Sequence, residues 1–291
     1  LDRVFDLQEQ GPSYARYDNP TRNALEELLC ELESGHGAIA CASGMIAIHT
    51  AILAALLDSP KRVLAANMMY GATTSMLMKI FDPLGVETTQ VDPCDFAAFE
   101  KALNETKPGC AIVETIANPL LRVPALDKIA QACRAADVPL IVDNTFATPL
   151  LVRPLELGAN IVCHSVTKYL AGHGDVLGGI IVADAANFDT IRTLSRTMGP
   201  VLGPFESYLT MRGIKTLGLR FERQCANANQ VAAWLTKHPS VERVYSPSLP
   251  DHPDAEAIGR LFPAGKSSGL VAFELKGADK PKIFRFMESL K

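Results

Sequence analysis

No two of the seven cysteines are spaced as C-x-x-C, and the six histidines form neither an H-x-x-x-H pair nor a mixed Cys/His cluster. A structural zinc site needs such spacing, and a disulfide framework needs cysteines that can be paired off. Here the count is odd, and several cysteines sit inside apolar runs, where a free thiol behaves as a small hydrophobe. These features indicate no metal and a reducing, cytoplasmic compartment. Long apolar runs are also lacking. The longest, Met45 to Leu57, is interrupted by His49 and Thr50 and is too short to cross a bilayer, and no signal peptide is visible. Excess charge is missing too. A net charge of −4 and a pI of 5.9 give no electrostatic case for nucleic acid or an anionic membrane, so the expected partner is a small molecule. Internal repeats and low-complexity tracts are absent. The chain opens on Leu1 rather than methionine and stops at Lys291 inside a helical pattern, so further residues are expected at the ends.

What is present is an ordinary globular composition over 291 residues, enough for one large or two ordinary domains. Asn19-Pro20-Thr21, followed by Leu25, Leu28, Leu29 and Leu32, predicts a capped amphipathic helix that stops at Gly35. A second helical pattern runs from Met45 through Leu57. Short apolar runs then alternate with helical stretches: 62–66, 86–91, 110–114, 139–143, 160–164 and 178–183. Continuous rather than alternating apolarity marks strands covered on both faces, hence a mostly parallel sheet in an α/β fold. After Pro204 the pattern changes to a long helical segment, about 206–238 with Gly213 as a break, then two strands (241–245 and 269–275) and a final helix. The expected organisation is an arm (1–20), a large cofactor-binding domain (21–217) and the start of a smaller α+β domain (218–291).

The chemistry concentrates at strand ends. Lys168 follows the 160–164 run closely, flanked by the hydroxyls of Ser165 and Thr167 and followed by Gly172, Gly174, Gly178 and Gly179. Most loop lysines are simply solvated. This one lies where α/β sheets gather ligands, among groups suited to a phosphate. Asp143 ends the neighbouring run Leu-Ile-Val-Asp; it could cap the next turn or serve a ligand. An amine, two hydroxyls and a strand-end carboxylate together match the needs of pyridoxal 5′-phosphate (PLP). Lys168 would join the aldehyde, Ser165 and Thr167 would meet the phosphate, and Asp143 would pair with the protonated ring nitrogen. Ser43-Gly44-Met45 opens a helix and offers N–H groups to the same phosphate, although Ser-Gly is also a common cap. Tyr70 could stack on a flat ring, and Asn118 could bond its 3′ oxygen; a core tyrosine and an Asn-Pro turn are the plainer readings. Tyr14 and Arg16 lie in the arm, where they are either solvated or extended to a phosphate in a neighbouring subunit. His164 and His173 are acid–base candidates, though such histidines are more often satisfied polar residues.

Six segments in order carry a resemblance across most of the chain: Tyr14-Ala-Arg16-Tyr-Asp-Asn-Pro-Thr, Ala42-Ser-Gly-Met45, Tyr70-Gly-Ala-Thr73, Glu114-Thr-Ile-Ala-Asn-Pro119, Val142-Asp-Asn-Thr-Phe-Ala-Thr-Pro149 and His164-Ser-Val-Thr-Lys-Tyr-Leu-Ala-Gly-His-Gly-Asp175. Each is modest alone and the set is specific. The sequence resembles the cysteine/methionine-metabolism family of PLP enzymes, which includes cystathionine γ-lyases and γ-synthases, methionine γ-lyases, cystathionine β-lyases and O-acetylhomoserine sulfhydrylases. The resemblance implies a fold-type I, aspartate-aminotransferase-like architecture. It implies Tyr14 and Arg16 completing the adjacent subunit's phosphate site in catalytic dimers, usually paired into tetramers. It also implies Lys168, Tyr70 and Asp143 as the catalytic set, with an amino acid as substrate. Ala72 stands where methionine γ-lyases typically carry cysteine, which disfavours that member, and the arginine for the substrate carboxylate is expected beyond Lys291. Elimination at the γ carbon of L-cystathionine is the preferred reading, with replacement on an O-acylhomoserine as the alternative. A cofactor-free lysine aldolase and a non-catalytic homologue are rivals of other classes.

Overall fold

In the computed structural model, which describes residues 14–290, Asn19 Oδ1 accepts from Thr21 N (3.1 Å) and Arg22 N (3.2 Å). That cap, with Pro20 as the first helical residue, starts helix α1 (Pro20–Leu32). Its face carrying Leu25 and Leu29 is fully buried. A strand the sequence reading passes over follows at once: β1 (Gly37–Cys41). Gly-Ala-Ile-Ala-Cys has one β-branched residue and no alternation, so its propensity is weak, yet every residue is buried. Helix α2 (Gly44–Leu56) comes next, and then the expected alternation: β2 (Arg62–Ala66), α3 (Gly71–Met76), β3 (Glu87–Val91), α4 (Phe96–Thr106), β4 (Cys110–Glu114), α5 (Leu126–Ala135) and β5 (Leu140–Asp143). Two short turns of helix, α6 (Thr148–Leu151) and α7 (Pro154–Leu157), lead to β6 (Ile161–Ser165) and β7 (Gly179–Ala183).

These strands form one seven-stranded sheet in the order β1-β7-β6-β5-β4-β2-β3. From β3 through β2, β4 and β5 to β6 every pairing is parallel, whereas β7 runs antiparallel to both β6 and β1. The sheet is therefore mostly parallel, as expected. Strands β1, β4 and β7 are buried along their whole length, while the edge strand β3, Glu-Thr-Thr-Gln-Val, is partly exposed.

Beyond β7 come α8 (Ala185–Met198), α9 (Pro204–Ile214) and α10 (Leu217–Leu235). The break in the long helical segment falls at Lys215-Thr216 and not at Gly213, which lies within α9. Gly213 answers a different need. A Cβ there would sit 2.1 Å from the carbonyl oxygen of Ala171, so only glycine lets α9 approach the turn that carries Lys168. The remainder pairs β8 (Val241–Tyr245) antiparallel with β9 (Ala272–Leu275), alongside α11 (Ala255–Leu261) and α12 (Lys280–Ser289). Asp254 ties this region to the segment after β4, accepting from Arg122 Nε (2.6 Å), Arg122 Nη2 (2.8 Å) and Val123 N (2.9 Å).

Candidate active site

Because β1, β2, β4, β5 and β6 all point one way, their carboxyl ends share one edge of the sheet. The pairing of Ser165 with Gly179 brings the start of β7 to the same edge. A cavity of about 300 Å³ opens there, a size suited to a small ligand. Its lining includes Ser43, Gly44 and Met45 from the start of α2, Tyr70 after β2, and Asn118 after β4. Asp143 ends β5, and Ser165, Thr167 and Lys168 follow in and beyond β6. Nine of the sequence-predicted residues thus meet in one space.

The start of α2 is built to receive an anion. Ser43 Oγ accepts from Ile46 N (3.2 Å) and Ser43 O from Ala47 N (3.1 Å). The N–H groups of Gly44 and Met45 have no acceptor among the described residues, which leaves them for a ligand at the positive end of the helix. Gly44 is fixed by space. A Cβ there would come within 2.8 Å of Ser165 Cβ and 3.0 Å of Ser165 Cα, so glycine lets the helix start close against β6. Thr167 Oγ1 accepts from Gly178 N (3.0 Å) and donates weakly to Gly178 O (3.3 Å). That longer bond is the one a phosphate oxygen would replace.

Asp143 accepts twice from Thr145, from its N–H (3.0 Å) and its hydroxyl (2.5 Å), both onto Oδ1. Thr145 Oγ1 in turn accepts from Ser165 N (2.8 Å), joining β5 to β6 at the cavity floor. Oδ2 keeps no protein donor among the described residues. Burial raises the Asp143 carboxyl, opposed by the Thr145 hydrogen bonds and the nearby His164. A cationic ring nitrogen against Oδ2 would relieve that desolvation. Ile48, Ile116, Phe146 and Leu177 supply apolar wall, and the ring of Tyr70 is half-exposed beside it. Two free N–H groups for an anion, a half-buried carboxylate with one free oxygen for a cation and apolar walls between them fit PLP. Lys168 lines the cavity but is exposed, with no side-chain hydrogen bond or ion pair among the described residues.

Two candidates lie elsewhere, and two more stay in the arm. His164 is 1% exposed and does not line the cavity, its Nε2 2.5 Å from Glu33 Oε1. Asn144 Nδ2 donates to the same Glu33 oxygen (2.8 Å), so this is a buried structural cluster. His173 Nδ1 meets Ala171 O at 2.7 Å, outside the cavity. Tyr14 and Arg16 do not line this chain's cavity. The arm is held by Arg22 Nη1 donating to Ala15 O (2.9 Å), while Arg16 donates to the Arg196 carbonyl and lies over the Tyr17 ring at 4.6 Å.

Glu114 is the residue whose part the sequence reading leaves unassigned. It lines the cavity, pairs in register with Asp143 and is 7% exposed. Its carboxyl is raised to about 8, first by burial and then by Asp143. The available signal was an acid closing each of two apolar strands, Val113-Glu114 and Val142-Asp143. Among the described residues no group of His, Cys, Asp and Glu could hold a metal ion, and no helix is long and apolar enough to cross a membrane.

This fold and cavity define a fold-type I PLP-dependent enzyme. A family model described as Cys/Met metabolism PLP-dependent enzyme matches residues 1–291, and the chain belongs to that family. The chain is 41% identical to the cystathionine gamma-lyase of Bacillus subtilis, over 97% of this chain and 76% of that protein. Among solved structures, the cystathionine gamma-lyase of Lactobacillus plantarum superimposes with a TM-score of 0.88 at 37% identity, covering 95% of this chain and 71% of that one. The cystathionine gamma synthase of Xanthomonas oryzae gives a TM-score of 0.90 at 33% identity, covering 97% and 72%.

Proposed function

We propose that the chain catalyses C–S γ-elimination on L-cystathionine or a related sulfur amino acid, consuming water and giving a 2-oxo acid, ammonia and a thiol. The observation that carries this is the meeting of Lys168, Asp143, Tyr70, Asn118 and the Ser43–Met45 helix start in one cavity. Bound PLP supplies an electron sink that acidifies the Cα and Cβ protons of an amino-acid substrate. Asp143 would keep the ring nitrogen protonated, and Gly44 N, Met45 N, Ser43, Ser165 and Thr167 would hold the phosphate. Lys168 would hold the cofactor in the resting enzyme, and its freed amine would take the Cα proton and move protons at Cβ. Tyr70 would face the ring and assist departure of the γ substituent, and Asn118 would bond the 3′ oxygen. Each positioned proton transfer is worth roughly 10²–10⁴ in rate.

Replacement at the γ carbon of an O-acylhomoserine is the second reading, supported by the close superposition on a cystathionine gamma synthase. The same residues serve both, and the choice turns on whether water or a thiol is admitted. Residues 21–217 would form the cofactor domain and 218–291 part of a smaller one. Tyr14 and Arg16 would complete the site of a partner subunit within a dimer of dimers, a reading supported by their absence from their own cavity. Seven free thiols support a cytoplasmic setting.

Product analysis with L-cystathionine, L-methionine and O-acetyl-L-homoserine, the last with and without added thiol, tests the assignment. A 2-oxo acid and ammonia from cystathionine are expected; thioether from the acyl ester plus thiol, with no 2-oxo acid from cystathionine, would favour the second reading. Lys168→Ala should abolish the visible absorbance of the lysine-held cofactor, and an unchanged spectrum would remove that role.

A further inference from the structure

The chain leaves β2 for β3 on one side and returns to β4 on the other, so the sheet order reverses between β2 and β4. Such a reversal opens a crevice at the carboxyl edge, where ligands of open α/β sheets bind. Tyr70 follows one bank and Asn118 the other, 48 positions apart in the chain. Glu114 joins them. Its Oε1 accepts the Tyr70 N–H at 2.7 Å and its Oε2 accepts the Asn118 N–H at 2.9 Å. Tyr70 precedes α3 with no side-chain cap of its own, and Asn118 lies in the loop beyond β4, so neither backbone donor belongs to a strand or helix ladder. A carboxylate accepts at both oxygens, and one planar fork can therefore hold two N–H groups at a fixed separation.

We infer that Glu114 is a positioning residue that bridges Tyr70 N and Asn118 N across the β2/β4 crevice. In doing so it sets the width of the slot between the tyrosine ring and the Asn118 side chain. The inference deepens the PLP reading above and rests on it for the nature of the slot's occupant. Burial and the charge of Asp143 push the Glu114 carboxyl up, and the two N–H donors pull it back. Those donors fix the place of a second carboxyl group beside Asp143.

Glu114→Gln is the sharpest substitution, because it keeps the shape yet must turn an NH2 group toward one of two N–H donors. In ligand-free protein, hydrogen exchange in peptides spanning Tyr70 and Asn118 is expected to quicken by about 10–100-fold, with peptides of β6 unchanged. The dissociation constant for PLP, from titration, should rise by about 10–100-fold. The visible circular dichroism of bound cofactor should also change as the ring loses its fixed tilt. Wild-type protection, affinity and dichroism in this variant would overturn the inference. Glu114→Asp keeps the carboxyl group but is one methylene short of spanning both donors, so it should fail likewise; full restoration would show that the span is not needed and also overturn the bridge. Should both variants fail to fold, the wild-type protein still decides. Its Tyr70 and Asn118 amides must be protected, and exchange at the rate of open loops would sink the proposal. If wild-type protein fails to bind PLP, the cofactor reading falls while the exchange experiment still judges the bridge.

Discussion

The two sides of the cavity are held in different ways. On the α2/β5/β6 side, Ser165 N, Thr145 and Asp143 form a connected chain of hydrogen bonds, Thr167 is bound to Gly178, and Gly44 packs against Ser165. On the β2/β4 side, two loops are joined to each other through Glu114. The first side is determined by several independent constraints, so removing one leaves the others. The second rests on one carboxylate, and its geometry is the more easily altered. Affinity for an anion should therefore follow the first side, and the tilt of a flat ligand the second.

The strongest way to break this contrast is Asp143→Ala. It removes the partner of the ring nitrogen while Thr145 and Ser165 stay in place. Turnover is expected to fall by at least about 10²-fold with cofactor still bound, as measured by steady-state rate and cofactor content. Near-normal turnover would contradict the assignment. Gly44→Val comes next. Its side chain must displace Ser165, with a loss of about 1–3 kcal/mol of stability by denaturant unfolding and weaker phosphate retention. A variant as stable as wild type would show that α2 can move freely.

A third test reads pH dependence in the ligand-free protein. The Glu114 carboxyl is raised to about 8 in the folded chain, above its ordinary value of 4.5. As pH rises between those values the unfolded chain loses its proton first, so the folded state holds more protons and stability falls. Its contribution is complete below about pH 4.5 and gone once pH passes about 8. Urea unfolding at pH 5 and pH 8.5 should show this decline, and Glu114→Gln should flatten it. A slope identical in the variant would place the titration elsewhere.

Much of this site could be read before the fold was known. Lys168 and Asp143 announce themselves because each follows an apolar run, and in a parallel sheet the ends of such runs converge. Tyr70, Asn118 and the Ser43–Met45 turn follow by the same logic. What stayed hidden depends on contacts distant in sequence or on space. β1 is hard to see because small residues carry little strand signal and its burial comes from β7 and from helices α1, α2 and α8 packed against it. Gly213 reads as a helix break, since glycine weakens helices, yet it is required by the closeness of Ala171. For His164 the plainer reading, a satisfied polar residue, holds, and its partner Glu33 is 131 positions away. The Glu114 bridge needs the strand order, which no local pattern reveals.

The reversed strand β7 carries a consequence for how the lysine is presented. Its entry lies beside the exit of β6, so the stretch from Val166 to Gly178 leaves the sheet and re-enters at the same rim, like a handle fixed at both ends. Arg220 grips this handle at the carbonyl of Tyr169 (2.9 Å) and also donates to the carbonyl of Gly213 in α9 (2.7 Å), coupling the handle to the helices. An extra residue inside the handle would shift the amine while sparing the sheet; one added to a crossover helix would leave the amine where it is.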